Sequence, residues 1–134
     1  MPDAPAKPRL IGSIPYVWVA DIQKAIPYYR DVLGFEVEFV YEYEWEGGQF
    51  GLALMNRGEV TLHLRVCECG DYRHTGMAFY QIMMEGVDEL HAEFVSKGAI
   101  IRFEPTTQSW GVRDFQVDDP EGNRIYFFED SPCN

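Results

Sequence analysis

The chain has 134 residues, 46% hydrophobic and 15% aromatic, which is enough for one domain with a real core and too apolar for a disordered chain. Eleven basic against 22 acidic residues leave a net charge of −11, which opposes nucleic-acid and anionic-membrane partners and favours either a cationic ligand or plain solubility. No apolar run reaches the roughly 20 residues of a membrane span, MPDAPAKPR lacks the apolar centre of a secretory signal, and three cysteines make no disulfide framework, so a reducing cytoplasm is the expected location.

In chain order, residues 1–9 read as a flexible proline-rich arm. A strand is expected over Leu10 to Val19, with Pro15 inside it. Proline cannot donate to a ladder, so that strand belongs at an edge or pairs irregularly there. Asp21 is a good N-cap, and Ile22, Ile26, Tyr29 and Leu33 recur at helical spacing, predicting a helix from Ile22 to Leu33 with Gly34 as its C′ stop. Pro27 is tolerable only near the start of the regular helix; otherwise it kinks. From Phe35 to Trp45 the chain alternates, with Phe35, Val37, Phe39, Tyr41, Tyr43 and Trp45 on one face and Glu36, Glu38, Glu42 and Glu44 mostly on the other. Gly47-Gly48 turns this strand into another over Phe50 to Met55, and Asn56-Arg57-Gly58 turns that into a fourth over Glu59 to Val66.

After a polar loop from Cys67 to Thr75 the pattern repeats. A strand from Met77 to Met84 leads to a helix from Val87 to Lys97, stopped by Gly98. Strands follow over Ile100 to Glu104, Val112 to Val117 and Arg124 to Glu129. The last two are joined by Asp118-Asp119-Pro120-Glu121-Gly122-Asn123, where Pro120 presets φ, Asp119 hydrogen-bonds forward, and Gly122 or Asn123 takes positive φ. The order is βαβββ twice, in modules of about residues 10–66 and 76–130, followed by a tail over 131–134. One such unit cannot cover both faces of its sheet, so the two are expected to pack as a single α+β domain over 10–130.

The closing hairpin, Trp110-Gly111-x-Arg113-x-Phe115 followed by Asp119-Pro120-x-Gly122-Asn123-x-Ile125-x-Phe127, resembles that of the vicinal oxygen chelate superfamily (glyoxalase I, extradiol dioxygenases, fosfomycin and bleomycin resistance proteins). Trp110-Gly111 and the ending Gly122 to Phe127 look most like the bleomycin resistance branch. Three further stretches follow the superfamily in order: Pro15-x5-Asp21 with Tyr28 to Phe35, Arg57 to Leu64, and Val87 to Phe94. The departure is an insertion around Tyr41 to Gln49. The resemblance implies a glyoxalase/bleomycin-resistance-like domain of two βαβββ modules with sheets curled into a cup. It also implies a homodimer that sequesters drug in two clefts without catalysis. Pro15 would lie where the N-terminal strand exchanges between subunits, Phe39 and Trp110 at ligand-stacking positions, Glu38 at an acidic one, and Arg113 beside them.

The superfamily's enzymes hold a divalent metal with His, Gln or Glu from four strands, at positions that resemble Ile14, His63, Phe79 and Tyr126 here. Only His63 has a donor atom, Gln81 is the one nearby substitute, and a single imidazole cannot retain a catalytic metal. No cofactor is therefore expected. His63-x3-Cys67-x-Cys69-x4-His74 matches no familiar zinc spacing and reads first as two thiols and a surface histidine at a strand end, with a Cys2His2 zinc site as the alternative. Binding remains. Phe39, Tyr41, Tyr43, Trp45, Phe50 and Trp110 form an aromatic set interleaved with Glu36, Glu38, Glu42, Glu44 and Glu46, a combination that stacks flat ligands and draws in cations such as a bleomycin-type glycopeptide. An amphipathic strand with a solvated acidic face would look the same. The rival class is a metal-dependent lyase or isomerase of the glyoxalase type, or a dioxygenase, with non-standard ligands.

Overall fold

The computed structural model describes residues 7–66 and 74–131. Its first half contains β1 (Tyr16–Trp18), α1 (Ile22–Pro27) continuing as a π-helical turn (Tyr28–Val32), β2 (Glu36–Trp45), β3 (Gly48–Arg57) and β4 (Val60–Val66). The second half contains β5 (Phe79–Met83), α2 (Val87–Ser96), β6 (Ile100–Thr107), β7 (Val112–Asp118) and β8 (Arg124–Asp130). The expected βαβββ order occurs twice in an α+β fold. The strands form two open four-stranded sheets, β1-β4-β3-β2 and β5-β8-β7-β6, each with its first strand parallel and the rest antiparallel.

Three sequence expectations need correction. The first strand is short: regular pairing starts at Tyr16, just past Pro15, whose carbonyl accepts from His63 N at 3.0 Å while its own nitrogen has nothing to donate. The first helix does not run regularly to Leu33. Pro27 cannot donate back to Gln23, and beyond it the ladder widens, Leu33 N donating to Tyr28 O five residues back. Asp21 caps the start, accepting from Gln23 N and Lys24 N. The face assignment of β2 also changes. A bulge between Val37 and Phe39 shifts the register, so Val37 lies opposite core residue Met55 whereas Phe39, Tyr41 and Tyr43 lie opposite Leu54, Leu52 and Phe50 on the other face. One inserted residue inverts the parity of everything before it.

Both sheets turn one face inward onto a shared core with the helices. Tyr29, Phe94, Phe115, Leu62 and Ile125 are fully buried there. The two halves are tied reciprocally. Where the first helix ends, Tyr28 Oη donates to Asp118 O at 2.6 Å and Tyr29 Oη to Asp119 Oδ2 at 2.7 Å, in the turn between β7 and β8. At the turn between β3 and β4, Arg57 Nη1 donates to Leu33 O at 2.8 Å and to Glu93 Oε2 of α2 at 2.6 Å. Glu129 faces away from Tyr126, as strand parity requires, and caps α2 by accepting from Gly86 N and Val87 N.

Candidate functional site

The outer face of the first sheet is built by strand parity alone. Tyr16 of β1 lies opposite His63 of β4, which lies opposite Leu54 of β3, which lies opposite Phe39 of β2. In the next rank Trp18, Arg65, Leu52 and Tyr41 align in the same way. Their rings form a ladder. Trp18 meets Tyr16 edge-on at 5.9 Å, Tyr16 lies 4.2 Å from His63, and the Arg65 guanidinium sits 4.3 Å over Phe50 and 5.5 Å from Tyr16. Phe50 meets Tyr41 at 5.9 Å, and Tyr43 stacks on Trp45 at 5.5 Å. Phe39, Tyr41 and Tyr43 remain about half exposed, at 50%, 49% and 53%. Glu38, in the bulge, accepts from Asn56 Nδ2 at 2.7 Å and so stands on the same face.

Tyr16, Trp18 and Arg65 were not among the residues singled out from the sequence. The signal was the shared parity of His63 and Arg65, and of Tyr16 and Trp18 on a strand obscured by Pro15. His63 Nε2 is buried and finds no hydrogen-bond partner among the described residues. Burial, and then the Arg65 charge, hold its pKa below the ordinary 6.5. The unfolded chain therefore binds the extra proton first as pH falls. This contribution to stability is complete above pH 6.5 and lost as pH falls below it toward the depressed value. The denaturant midpoint is expected to fall between neutral and mildly acidic pH, and His63→Phe to remove part of that slope. An unchanged slope would show that His63 titrates alike in both states.

The second sheet presents a different outer face. Gln81, Tyr126, Gln116 and Phe103 align across it, as do Met83, Phe128 and Asp114. Phe79, Met83 and Phe103 are exposed; Phe79 was singled out only as a metal position lacking a donor, and Met83 and Phe103 were missed in the sequence. The Asp114 carboxylate is buried on this face and accepts a short bond from Tyr126 Oη and another from Gln108 Nε2 at 3.0 Å. Burial first, and then Asp114, push the Tyr126 hydroxyl up to about 12, so it stays protonated and donating. Trp110 is 67% exposed in the turn between β6 and β7, beside Gly111 at φ +91, and makes no ring contact among the described residues. Arg113 points to the helix side, where Asp88 binds its guanidinium at 2.8 and 3.0 Å. The structure thus brings Phe39, Tyr41, Phe50 and His63 onto one face of the first sheet, and leaves Trp110 in the turn between β6 and β7 of the second. Cys67 and Cys69 lie outside the described residues, whereas His74 packs 5.3 Å from Trp18.

The glyoxalase/bleomycin resistance protein/dioxygenase superfamily model matches residues 11–127. The chain belongs to this superfamily. It is 32% identical over 139 residues to a bleomycin resistance protein of Geobacillus stearothermophilus, across 90% of this chain and 97% of that one, and equally to one of Staphylococcus aureus strain N315. Among solved structures, the bleomycin-binding protein of bleomycin-producing Streptomyces verticillus, complexed with copper(II)-bleomycin, superposes with a TM-score of 0.70 at 21% identity, covering 94% and 98% of the two chains. TnmS3, an antibiotic binding protein from Streptomyces, gives 0.68 at 21% identity over 92% and 99%. At that identity these two structures share the fold.

The divalent metal of the superfamily's enzymes does not fit this donor set. Ile14 and Phe79 offer only carbon, Tyr126 is held by Asp114, and Gln81 lies beside Tyr126 on the second sheet while His63 is on the first. Among the described residues no three His, Cys, Asp or Glu side chains converge. These four positions cannot close a coordination shell around such an ion. Among the described residues no helix is long and apolar enough to cross a membrane.

Proposed function

We propose that this superfamily member is a ligand-sequestering homodimer of the bleomycin-resistance type, holding a planar, cationic small molecule without catalysing a reaction. One observation carries the reading. Both sheets turn exposed aromatic residues outward from the core, Phe39, Tyr41 and Tyr43 on one and Phe79 and Phe103 on the other, with Trp110 exposed in the turn between β6 and β7. Contiguous exposed apolar surface of this kind marks an interaction site. In the proposed dimer the first sheet of one protomer faces the second sheet of its partner and encloses two clefts. Phe39 and the partner's Trp110 stack on the ligand from opposite walls, His63 lies in the floor, and Glu38 supplies negative charge at the rim.

Pro15 marks where the arm ahead of β1, with Leu10 and Ile11 almost fully exposed, would exchange between protomers. A groove of about 1080 Å³ beside it is lined by Ser13, Pro15, Glu59 and Leu62 of the first half and by Gln81 and Met83 of the second. The bleomycin resistance relatives support the ligand class, and the acidic, cysteine-poor chain suits a cytoplasmic location.

Sedimentation at micromolar concentration, together with calorimetric titration of metal-free bleomycin, tests the proposal. The expected result is a dimer that binds one ligand per protomer, returns it chemically unchanged, and binds as well after chelation. A monomer at every concentration would remove the cleft. One tightly held zinc, nickel or iron per chain, lost together with an activity on chelation, would favour the glyoxalase-type lyase or isomerase, or the dioxygenase.

A further inference from the structure

Trp110 makes no ring contact among the described residues, so the direction of its indole is set by the turn that carries it. That turn is closed by Gln108 N, which donates to Val112 O at 2.8 Å, and by Gly111 N, which donates to Gln108 O at 3.2 Å. Just beyond β8, Ser131 N donates to Gly111 O at 2.9 Å. Side chains then pin the residues leading into the turn from both faces of the sheet. On the helix side, Arg113 Nη1 donates to Thr107 Oγ1 at 2.9 Å while Asp88 of α2 holds the same guanidinium. On the outer side, Gln108 Nε2 donates to Asp114 Oδ1 at 3.0 Å.

Asp114 is the unusual member of this set. Two carboxylates are buried among the described residues, Asp114 and Asp119. Asp119 joins the two halves of the chain through Tyr29. Asp114 takes no part in that tie. By strand parity it stands on the face opposite the core residues Phe115 and Val117, and both of its side-chain donors, Gln108 Nε2 and Tyr126 Oη, are neutral. Burying a carboxylate on neutral donors costs stability. What the arrangement supplies is a link. One oxygen holds the base of the Trp110 turn, and the other holds Tyr126 on β8, whose ring stacks with Phe79 of β5 at 6.3 Å and 28°.

We propose that Asp114 is a positioning residue for ligand binding: through Gln108 it fixes the turn that presents Trp110, and through Tyr126 it keeps that turn in register with the aromatic face of the second sheet. This rests on the ligand-binding reading above and deepens it. A stacking wall fixed in advance does not have to be ordered by the ligand, so the link acts on affinity while touching nothing that binds.

The test uses the full chain and two probes, metal-free bleomycin and proflavine, a planar cation. Gln108→Ala cuts the tether but keeps the buried acid and its bond to Tyr126. It is expected to bind each probe about 3- to 30-fold more weakly, with an unchanged sedimentation coefficient. Asp114→Ala is expected to weaken binding at least as much, and to lower the melting temperature as well. The decisive arm is the double-mutant cycle: in the Trp110→Ala background, read with proflavine up to millimolar concentration, Gln108→Ala is expected to cost nothing further. If Gln108→Ala binds at wild-type strength, or weakens binding equally with and without Trp110, the positioning role is overturned and Asp114 is structural only. If Gln108→Ala loses its dimer, the turn is an assembly contact and the role is equally overturned. If the wild-type chain binds neither probe, the ligand-binding reading itself fails and this inference falls with it.

Discussion

Asp119→Ala should be the most destabilising single polar substitution in this chain, by about 3–5 kcal/mol, the range for breaking one side of a buried charged network. The Asp119 carboxylate is 3% exposed. Its Oδ1 accepts from Glu121 N at 3.0 Å and Asn123 N at 2.8 Å, and its Oδ2 from Tyr29 Oη at 2.7 Å and Asn123 Nδ2 at 2.8 Å. Tyr29 and Asn123 are fully buried, so the donors left behind have no water to turn to. Each orphaned buried group costs about 1–3 kcal/mol. The loss should appear as a lower denaturant midpoint at an unchanged slope, whereas Tyr29→Phe, which orphans nothing on its own ring, should cost only about 1 kcal/mol. Asp119→Ala with a midpoint near wild type would mean that the turn rearranges and recovers its donors.

Trp110→Ala should have the largest effect on binding. If the partner's Trp110 closes the cleft opposite Phe39, truncation removes a full stacking wall, worth on the order of 2–4 kcal/mol at a hot spot. Affinity for an aromatic cation should fall about 30- to 1000-fold at roughly 1.4 kcal/mol per tenfold. The melting temperature should barely move, because the indole is two-thirds exposed and supports no core contact. Glu38→Gln should act differently, weakening binding modestly and mainly in low salt, where a rim charge is least screened. If Trp110→Ala binds at wild-type strength, the stacking role passes to the first sheet alone.

Much of the fold was legible because its signals are local. Asp21 as a cap, Gly34 and Gly98 as left-handed stops, and Gly122 at φ +98 in the last turn all follow from backbone chemistry within a few residues. Misread features depended on non-local pairing. Alternation placed Val37 with Phe39, but the β2 bulge is defined by what lies across on β3, which no window of one strand contains. Asp119 was read as a turn former, and its bond to Tyr29 spans 90 residues of sequence. For the same reason the aromatic set was visible while its division between two sheets was not. Phe39 stands on β2 of the first sheet, whereas Trp110 stands in the turn between β6 and β7 of the second.

The reciprocal ties between halves have a thermodynamic corollary. Tyr28 and Tyr29 anchor the first helix to the last turn, while Arg57 anchors the β3–β4 turn to α2. All of these bonds lie on the inner side of the sheets and none draws on the outer faces. Folding of one protomer and occupation of its outer faces are therefore separable equilibria. If the proposed dimer forms, dilution should dissociate it without melting either protomer, and both halves of a protomer should unfold together in a single cooperative step.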